Sequence, residues 1–114
     1  MADCLFCKIA AGAIPADIVH ADEEFVAFRD IAPRAPVHVL LIPRRHIPSP
    51  GDLGDGDAAL AGRLLVAAAR IARELGLDAT GFRWVLNSGA DGGQTVPHLH
   101  LHVLGGRELG WPPG

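Results

Sequence analysis

Three histidines that alternate with aliphatic residues form the part of this sequence best suited to chemistry. His98, His100 and His102 lie in the run 98–104, and they are half of the six histidines in the chain. Strict alternation predicts a β-strand, with the aliphatic side chains toward the core and the imidazoles on the other face. The alternative is that the three histidines lie on a solvent-exposed strand face and take no part in chemistry.

A row of imidazoles favours a substrate that spans more than one ring over a single metal ion. Alternate residues on a strand lie about 6.6 Å apart, so three rings could share one ion only on a strongly bent strand. One ring could attack the substrate while the others bind it or transfer protons.

The glycine-rich segment 87–94 precedes the histidine row directly. Its glycines allow backbone N–H groups to point into a concavity that suits an anion, and Asn87 and Thr95 add side-chain hydrogen-bonding groups. By itself the segment could be an ordinary hairpin turn. Beside a row of imidazoles, however, it indicates a phosphate site and hence phosphoryl or nucleotidyl chemistry.

Cys4 and Cys7 have the C-x-x-C spacing. Without a secretion signal, this spacing indicates reduced thiols or metal ligands and not a structural disulfide. No thioredoxin-like βαβ pattern surrounds the pair, so a redox role is disfavoured. Two readings stay open: half of a zinc site that needs two more ligands, and two thiols that pack a short helix.

Composition narrows the class of protein. The chain has 114 residues, 49% of them hydrophobic, and a net charge of -3, which predicts a single folded domain over 1–114. The basic residues form no tract, so generic nucleic-acid binding is disfavoured. No segment approaches the roughly 20 apolar residues of a membrane span, and the first residues lack signal-peptide features. We expect a cytoplasmic protein with no membrane partner.

Hydrophobic periodicity predicts an α+β fold with a mainly antiparallel sheet of about five strands, one long helix and a short N-terminal helix. The long helix should begin after a cap at Asp57, bury Leu60, Leu64, Ala67, Ala68, Ile71 and Leu75, and end near Gly76. The short helix is expected over 4–11 and the strands over 18–20, 25–28, 37–42, 82–86 and 98–104. His38 lies on the third strand, where a buried, hydrogen-bonded histidine is the default.

The run H-φ-H-φ-H-φ-φ, where φ is apolar, resembles the signature of the histidine triad (HIT) family. The chain is similar nearly end to end to one branch, the Hint-type purine nucleoside phosphoramidases. The matching segments are 28–31, 36–38, 42–47, 87–89, 91–94 and the tail Trp-Pro-Pro-Gly at 111–114. The resemblance therefore implies a HIT-like fold.

The resemblance also implies an activity, hydrolysis of the P–N bond of adenosine or guanosine 5′-phosphoramidates. His100 would attack the α-phosphorus and form a covalent nucleotidyl-histidine. His102 would contact the phosphate, beside His98 in the same row, and His38 would support the nucleophile's ring from behind. Substrate-binding residues would be Asp30 at the ribose hydroxyls, Ile31 near the nucleoside, and Asn87, Gly93, Gln94 and Thr95 at the phosphate. Two alternatives are a non-catalytic purine nucleotide-binding regulatory module and a dinucleoside polyphosphate hydrolase, which the tail and the small size disfavour.

The same resemblance bears on whether the chain binds a metal ion and whether it forms a dimer. Some family members hold structural zinc through positions that match Cys4, Cys7, His46 and His98, whereas others lack both cysteines and need no metal. No redox or organic cofactor is implied. The branch forms homodimers in which the central strands of two subunits join into one sheet. Residues 105–114 form the C-terminal tail, and its part from Arg107 to Gly114 would then reach the partner's active site.

Overall fold

The computed structural model describes residues 3–114 and shows a five-stranded antiparallel sheet with helices on its two faces. The strand order is β1-β2-β3-β5-β4, which confirms the predicted fold class. The elements in chain order are α1 (Leu5–Ala10), β1 (Ile18–Ala21), β2 (Phe25–Arg29), β3 (Val37–Pro43), α2 (Ala58–Glu74), β4 (Phe82–Val85) and β5 (Leu101–Gly105), with 3-10 turns at Pro50–Asp52, Asp55–Asp57 and Leu77–Ala79.

The centre of the sheet is the pair β3 and β5. All of β3 except its first residue is buried, as its nearly unbroken apolar sequence requires. In the register of this pair, Leu40 lies opposite His102 and Leu41 opposite Leu101. β1 and β4 are the two edges, and the pairing of β1 with β2 is irregular between Ile18 and His20.

Helix α2 covers one face of the sheet with the predicted apolar stripe, and Leu60, Leu64 and Ile71 are buried. One detail of the prediction is wrong. Asp57 precedes the helix, but its carboxylate does not cap α2. It accepts the Gly54 N–H at 3.0 Å and pairs with Arg45 at 2.8 Å, so it closes the preceding 3-10 turn instead.

Helix α1 packs on the opposite face. Phe6 is buried there against the β2 and β3 side chains Val26, Phe28, Leu40 and Ile42. Because side chains alternate along a strand, His38 shares this face with Leu40, and His102 lies opposite Leu40 on the neighbouring strand. The α1 face of the sheet therefore carries the histidines.

The histidine row is not one continuous strand, and the expectation of a strand over 98–104 is wrong at its start. β5 begins at Leu101, where its pairing with both neighbours ends: the last pair with β3 is Leu41–Leu101, although β3 itself continues to Pro43, and pairing with β4 ends opposite His102. Before that point the Leu99 N–H donates to the Ile47 carbonyl at 2.6 Å. The chain therefore turns away, and the three imidazoles enter different surroundings. Among the described residues, no helix combines the length and the apolarity that a bilayer crossing demands.

Candidate active site

The His100 ring is fixed in one orientation, with one nitrogen hydrogen-bonded and the other left with a lone pair. Its ring is buried, and its Nδ1 lies 2.7 Å from the carbonyl oxygen of His98. A carbonyl only accepts, so Nδ1 must carry the proton and donate it. The lone pair of neutral His100 is thereby assigned to Nε2. Phe6 meets the ring edge-on at 5.1 Å between centroids, and the His102 ring lies 4.9 Å away.

A second chain of hydrogen bonds assigns the protons of His38 and His102. The Arg34 backbone N–H donates to His38 Nδ1 at 3.1 Å, so the proton of neutral His38 is on Nε2. That Nε2 lies 2.9 Å from His102 Nδ1. His102 Nδ1 therefore accepts, and neutral His102 carries its proton on Nε2, free to donate to an anion.

His38 thus supports His102, not His100. The resemblance implied a histidine behind the nucleophile's ring, and the register corrects this, because His38 lies diagonally across from His102 on adjacent strands. His100 is backed instead by the His98 carbonyl and by Phe6.

Asp30 lies at the end of β2, beside the same pair. One carboxylate oxygen accepts the Ala32 N–H at 2.8 Å, and the other lies 3.4 Å from His38 Nε2. The Asp30 side chain retains 20% exposure while that of His38 retains only 4%. The outer part of the carboxylate is therefore open to a ligand, as a ribose contact requires.

Burial favours the neutral forms of His102 and His38. Desolvation lowers the pKa of His102 to about 4, and the neighbouring His100 and His38 add to the effect. Desolvation also lowers the pKa of His38, against an opposing contribution from Asp30. Both rings are thus neutral near pH 7, which is the state that the hydrogen-bond assignments describe.

The glycine-rich turn is closed by Gln94. The Gln94 side-chain amide donates to the Pro48 carbonyl at 2.7 Å and the Val96 carbonyl at 3.0 Å, and its oxygen accepts the Gly89 N–H at 2.9 Å. Gln94 is thus engaged within the protein, although it was expected to line the phosphate pocket. Gly93 has a φ of +83°, which favours glycine.

The remaining expected site residues differ in exposure. Asn87 is half-buried and Thr95 is exposed at the two ends of the turn. Ile31 is fully exposed, and Trp111 in the tail is 82% exposed. The structure brings His100, His102, His38 and Asp30 together and leaves Ile31 and Trp111 on the surface.

Cys4, Cys7, His46 and His98 converge into a second group, which we call the cysteine–histidine cluster. The His46 and His98 Nδ1 atoms lie 3.2 Å apart, and the Cys7 sulfur lies 3.3 Å from His46 Nδ1. The Cys4 and Cys7 sulfurs lie 3.3 and 3.5 Å from His98 Nδ1. Tetrahedral zinc with ordinary bond lengths separates its ligand atoms by about 3.3–3.8 Å, so the donor set and its spacing fit zinc.

His98 presents the correct nitrogen to this cluster. Its Nε2 lies 2.8 Å from the Pro43 carbonyl and must donate to it, which assigns the lone pair to Nδ1. A further grouping, Asp30 with His38 and His102, also brings ligand atoms together. It fits a metal poorly, because His38 Nδ1 accepts the Arg34 N–H and its Nε2 is therefore protonated.

Three contributors escape the sequence analysis. Phe6 lies between the two cysteines, and that position gives no reason to expect contact with His100. The Pro43 carbonyl and the Arg34 N–H are backbone groups, which leave no trace in a pattern of side chains.

Comparison with known proteins gives one consistent result. The HIT domain model matches residues 11–109. Two proteins described as uncharacterized HIT-like, from Synechocystis sp. and Synechococcus elongatus, are each 51% identical over 112 residues, covering 98% of this chain and 97% of theirs.

Solved structures agree with the sequence matches. A HIT family hydrolase from Legionella pneumophila Philadelphia 1 aligns with a TM-score of 0.96 and 50% identity, covering 98% of this chain and 100% of that chain. A histidine triad protein from Clostridium difficile aligns with a TM-score of 0.94 and 44% identity, covering 96% of each chain.

Proposed function

This chain belongs to the HIT family, and from that membership and the site geometry we propose that it is a hydrolase of purine nucleoside 5′-phosphoramidates. The observation that carries the proposal is the assignment of the His100 lone pair to Nε2. The neutral form of an imidazole whose other nitrogen is fixed by a hydrogen bond is a competent nucleophile.

In the first step, the His100 Nε2 lone pair forms a bond to the α-phosphorus as the P–N bond breaks. The amine departs with the bonding electron pair and takes one proton from solvent. The nucleotidylated imidazole keeps its Nδ1 proton, and the His98 carbonyl at 2.7 Å stabilises the resulting positive charge. In the second step, the oxygen of water attacks phosphorus, the P–Nε2 bond breaks, and water returns the proton to solvent. The products are the amine and the nucleoside monophosphate.

His102 is suited to bind the phosphate during both steps. Its Nε2–H is the donor left over once Nδ1 accepts from His38, and its low pKa keeps it a neutral donor. Asp30 would accept hydrogen bonds from the ribose hydroxyls, and Ile31 would cover the nucleoside. Asn87, Gly93 and Thr95 would surround the phosphate on a turn that Gln94 closes.

The cysteine–histidine cluster suits a zinc ion with a structural role, held by Cys4, Cys7, His46 and His98. Zinc bound there would tie α1 to the sheet and stabilise the fold. The residues themselves link the cluster to the site, because His98 belongs to the cluster by its ring and accepts from His100 by its carbonyl. The two cysteines precede the segment that the HIT domain model matches, whereas His46 and His98 lie within it.

The proposal includes a homodimer. The resemblance implied that the two subunits join through their central strands, at an interface we call the joint. In this chain, however, β2, β3 and β5 are already paired on both sides. Only β1 and β4 could extend the sheet into a second copy. We assign the joint to β4, because β4 pairs with β5 in regular register whereas the pairing of β1 is displaced between Ile18 and His20. Phe82 and the adjoining Leu86 are 38% and 40% exposed at this edge.

A turnover assay tests the activity. The whole chain is incubated with an adenosine 5′-phosphoramidate and, separately, with a dinucleoside polyphosphate, and the intact protein mass is measured during turnover. We expect P–N cleavage, a transient mass increase of one nucleotidyl group, and loss of at least about three powers of ten in rate in His100→Ala. Tight nucleoside monophosphate binding without turnover would contradict the proposal and favour a regulatory module. Faster cleavage of the polyphosphate would favour the other enzyme.

A further inference from the structure

The start of the C-terminal tail is seated on the loop that surrounds His38. We call residues 30–36, between β2 and β3, the β2–β3 loop. The Arg107 guanidinium donates to the Arg34 carbonyl in this loop at 2.9 Å. Gly106, with a φ of +89°, passes so close that a Cβ on it would lie 2.9 Å from Pro36. The tail and the loop therefore touch at two adjacent points.

The same loop sets the proton of His38. Arg34 receives Arg107 on its carbonyl and presents its N–H to His38 Nδ1 at 3.1 Å. That N–H fixes the His38 proton on Nε2, which in turn fixes the His102 proton on Nε2. One residue of the loop thus connects a charged side chain at the surface with the tautomer of a buried imidazole.

We propose that Arg107 is a positioning residue for the reaction, acting through Arg34 and His38 on the donor nitrogen of His102. The inference rests on the proposed function for the role of that donor, but not for the proton assignment itself. Arg107 touches neither histidine. Its contribution is to hold the loop where the Arg34 N–H meets His38, so that His102 offers a single tautomer to the phosphate.

The chain provides a matched control. Arg83 also anchors the tail, by donating to the Gly110 carbonyl at 2.7 Å, but within residues 3–114 its side chain makes no hydrogen bond to the β2–β3 loop. Arg83→Ala and Arg107→Ala each remove one positive charge and a hydrogen bond to the carbonyl of a tail residue, Gly110 for Arg83 and Glu108 for Arg107. Only Arg107→Ala disturbs the loop at Arg34.

The experiment records nitrogen-15 spectra of ring-labelled histidines in the full chain near pH 7, with adenosine monophosphate as the probe ligand. In the unchanged protein we expect one tautomer each for His38 and His102, both protonated on Nε2. Arg107→Ala should give a mixture at both rings and exchange the Arg34 amide at least about fivefold faster. Arg107→Lys, which keeps a cationic donor, should restore most of the single-tautomer signal, and Arg83→Ala should leave it unchanged.

Kinetics add a second readout. Arg107→Ala should lower kcat by about tenfold with KM nearly unchanged, because the His102 donor is used most strongly as charge develops on the phosphate. Gly106→Ala lifts the tail from Pro36 without changing charge and should alter the spectra in the same direction. An unchanged tautomer pattern in Arg107→Ala and Gly106→Ala, or an equal change in Arg83→Ala, would overturn the inference. A chain that hydrolyses nothing yet shows the tautomer change would refute the proposed function alone.

Discussion

Gln94 gives the sharpest test of how the phosphate turn is built. Its side-chain amide makes hydrogen bonds to the Pro48 carbonyl, the Val96 carbonyl and the Gly89 N–H. Each such bond contributes roughly 1 kcal/mol net. The site is partly exposed and water can replace part of the loss, so we expect Gln94→Ala to lower the free energy of unfolding by about 2 kcal/mol.

This loss converts into a measurable change in Tm. At about 2.1 cal/mol/K per residue, a chain of 114 residues has an unfolding entropy of about 0.24 kcal/mol/K. A loss of about 2 kcal/mol then lowers Tm by about 8 °C. Gln94→Glu should cost more, because a carboxylate oxygen would face the Pro48 and Val96 carbonyls in place of the amide donor.

Calorimetry at fixed protein concentration provides the assay, with Thr95→Val as the control. Thr95 is exposed, so its replacement should move Tm by no more than about 2 °C while weakening adenosine monophosphate binding. The reasoning fails if Gln94→Ala keeps the Tm of the unchanged protein and only weakens binding. Gln94 would then contact the ligand directly and would not be the clamp that the hydrogen bonds describe.

Four further outcomes are expected. Asp30→Asn should weaken nucleoside monophosphate binding by about 1.5–3 kcal/mol for ribose ligands and by less for 2′-deoxyribose ligands, and calorimetric titration showing equal losses would remove Asp30 from the ribose site. Because burial depresses the pKa of His102 to about 4 and lowers that of His38, the unfolded chain binds more protons below its own histidine pKa of about 6.5. Tm should therefore be constant above that pH and fall as the pH drops toward 4, and a flat profile would contradict it. Metal analysis should find about one zinc per chain, and chelation should lower Tm while sparing most of the activity at low temperature. If the protein contains no zinc and both thiols can be titrated, Cys4 and Cys7 only pack against their neighbours and bind no metal. Sedimentation should show a dimer at micromolar concentration, and a monomer would contradict the proposal that β4 forms the dimer interface.

Side-chain patterns predicted the framework well. The spacing of Leu60, Leu64 and Ile71 located the long helix and its buried face, and the apolar run around Leu41 located the central strand. These features follow from burial, which periodicity encodes directly. The convergence of Cys4 with His98, however, depended on the family resemblance, since the two are far apart in the chain.

What the sequence could not supply is the direction of each ring. Alternation placed His98, His100 and His102 on one face, whereas strand pairing ends at Leu101 and sends the rings to different neighbours. Where β3 and β4 cease to pair with β5 depends on the course of the whole sheet, not on the residues of β5 alone. Proton positions depend on backbone carbonyls and amides, which every residue carries, so no residue type reports them.

The irregular pairing of β1 has a consequence for how many copies can assemble. A sheet that offered two regular edges could add copies without limit, as fibres do. Here the pairing of β1 is displaced between Ile18 and His20, and such a bulge twists an edge away from further partners. β4 pairs with β5 in regular register and leaves its outer side open. Two copies joined through β4 about a twofold axis use that edge in both, and growth stops there. The bulge thus makes a closed pair compatible with an otherwise extendable sheet.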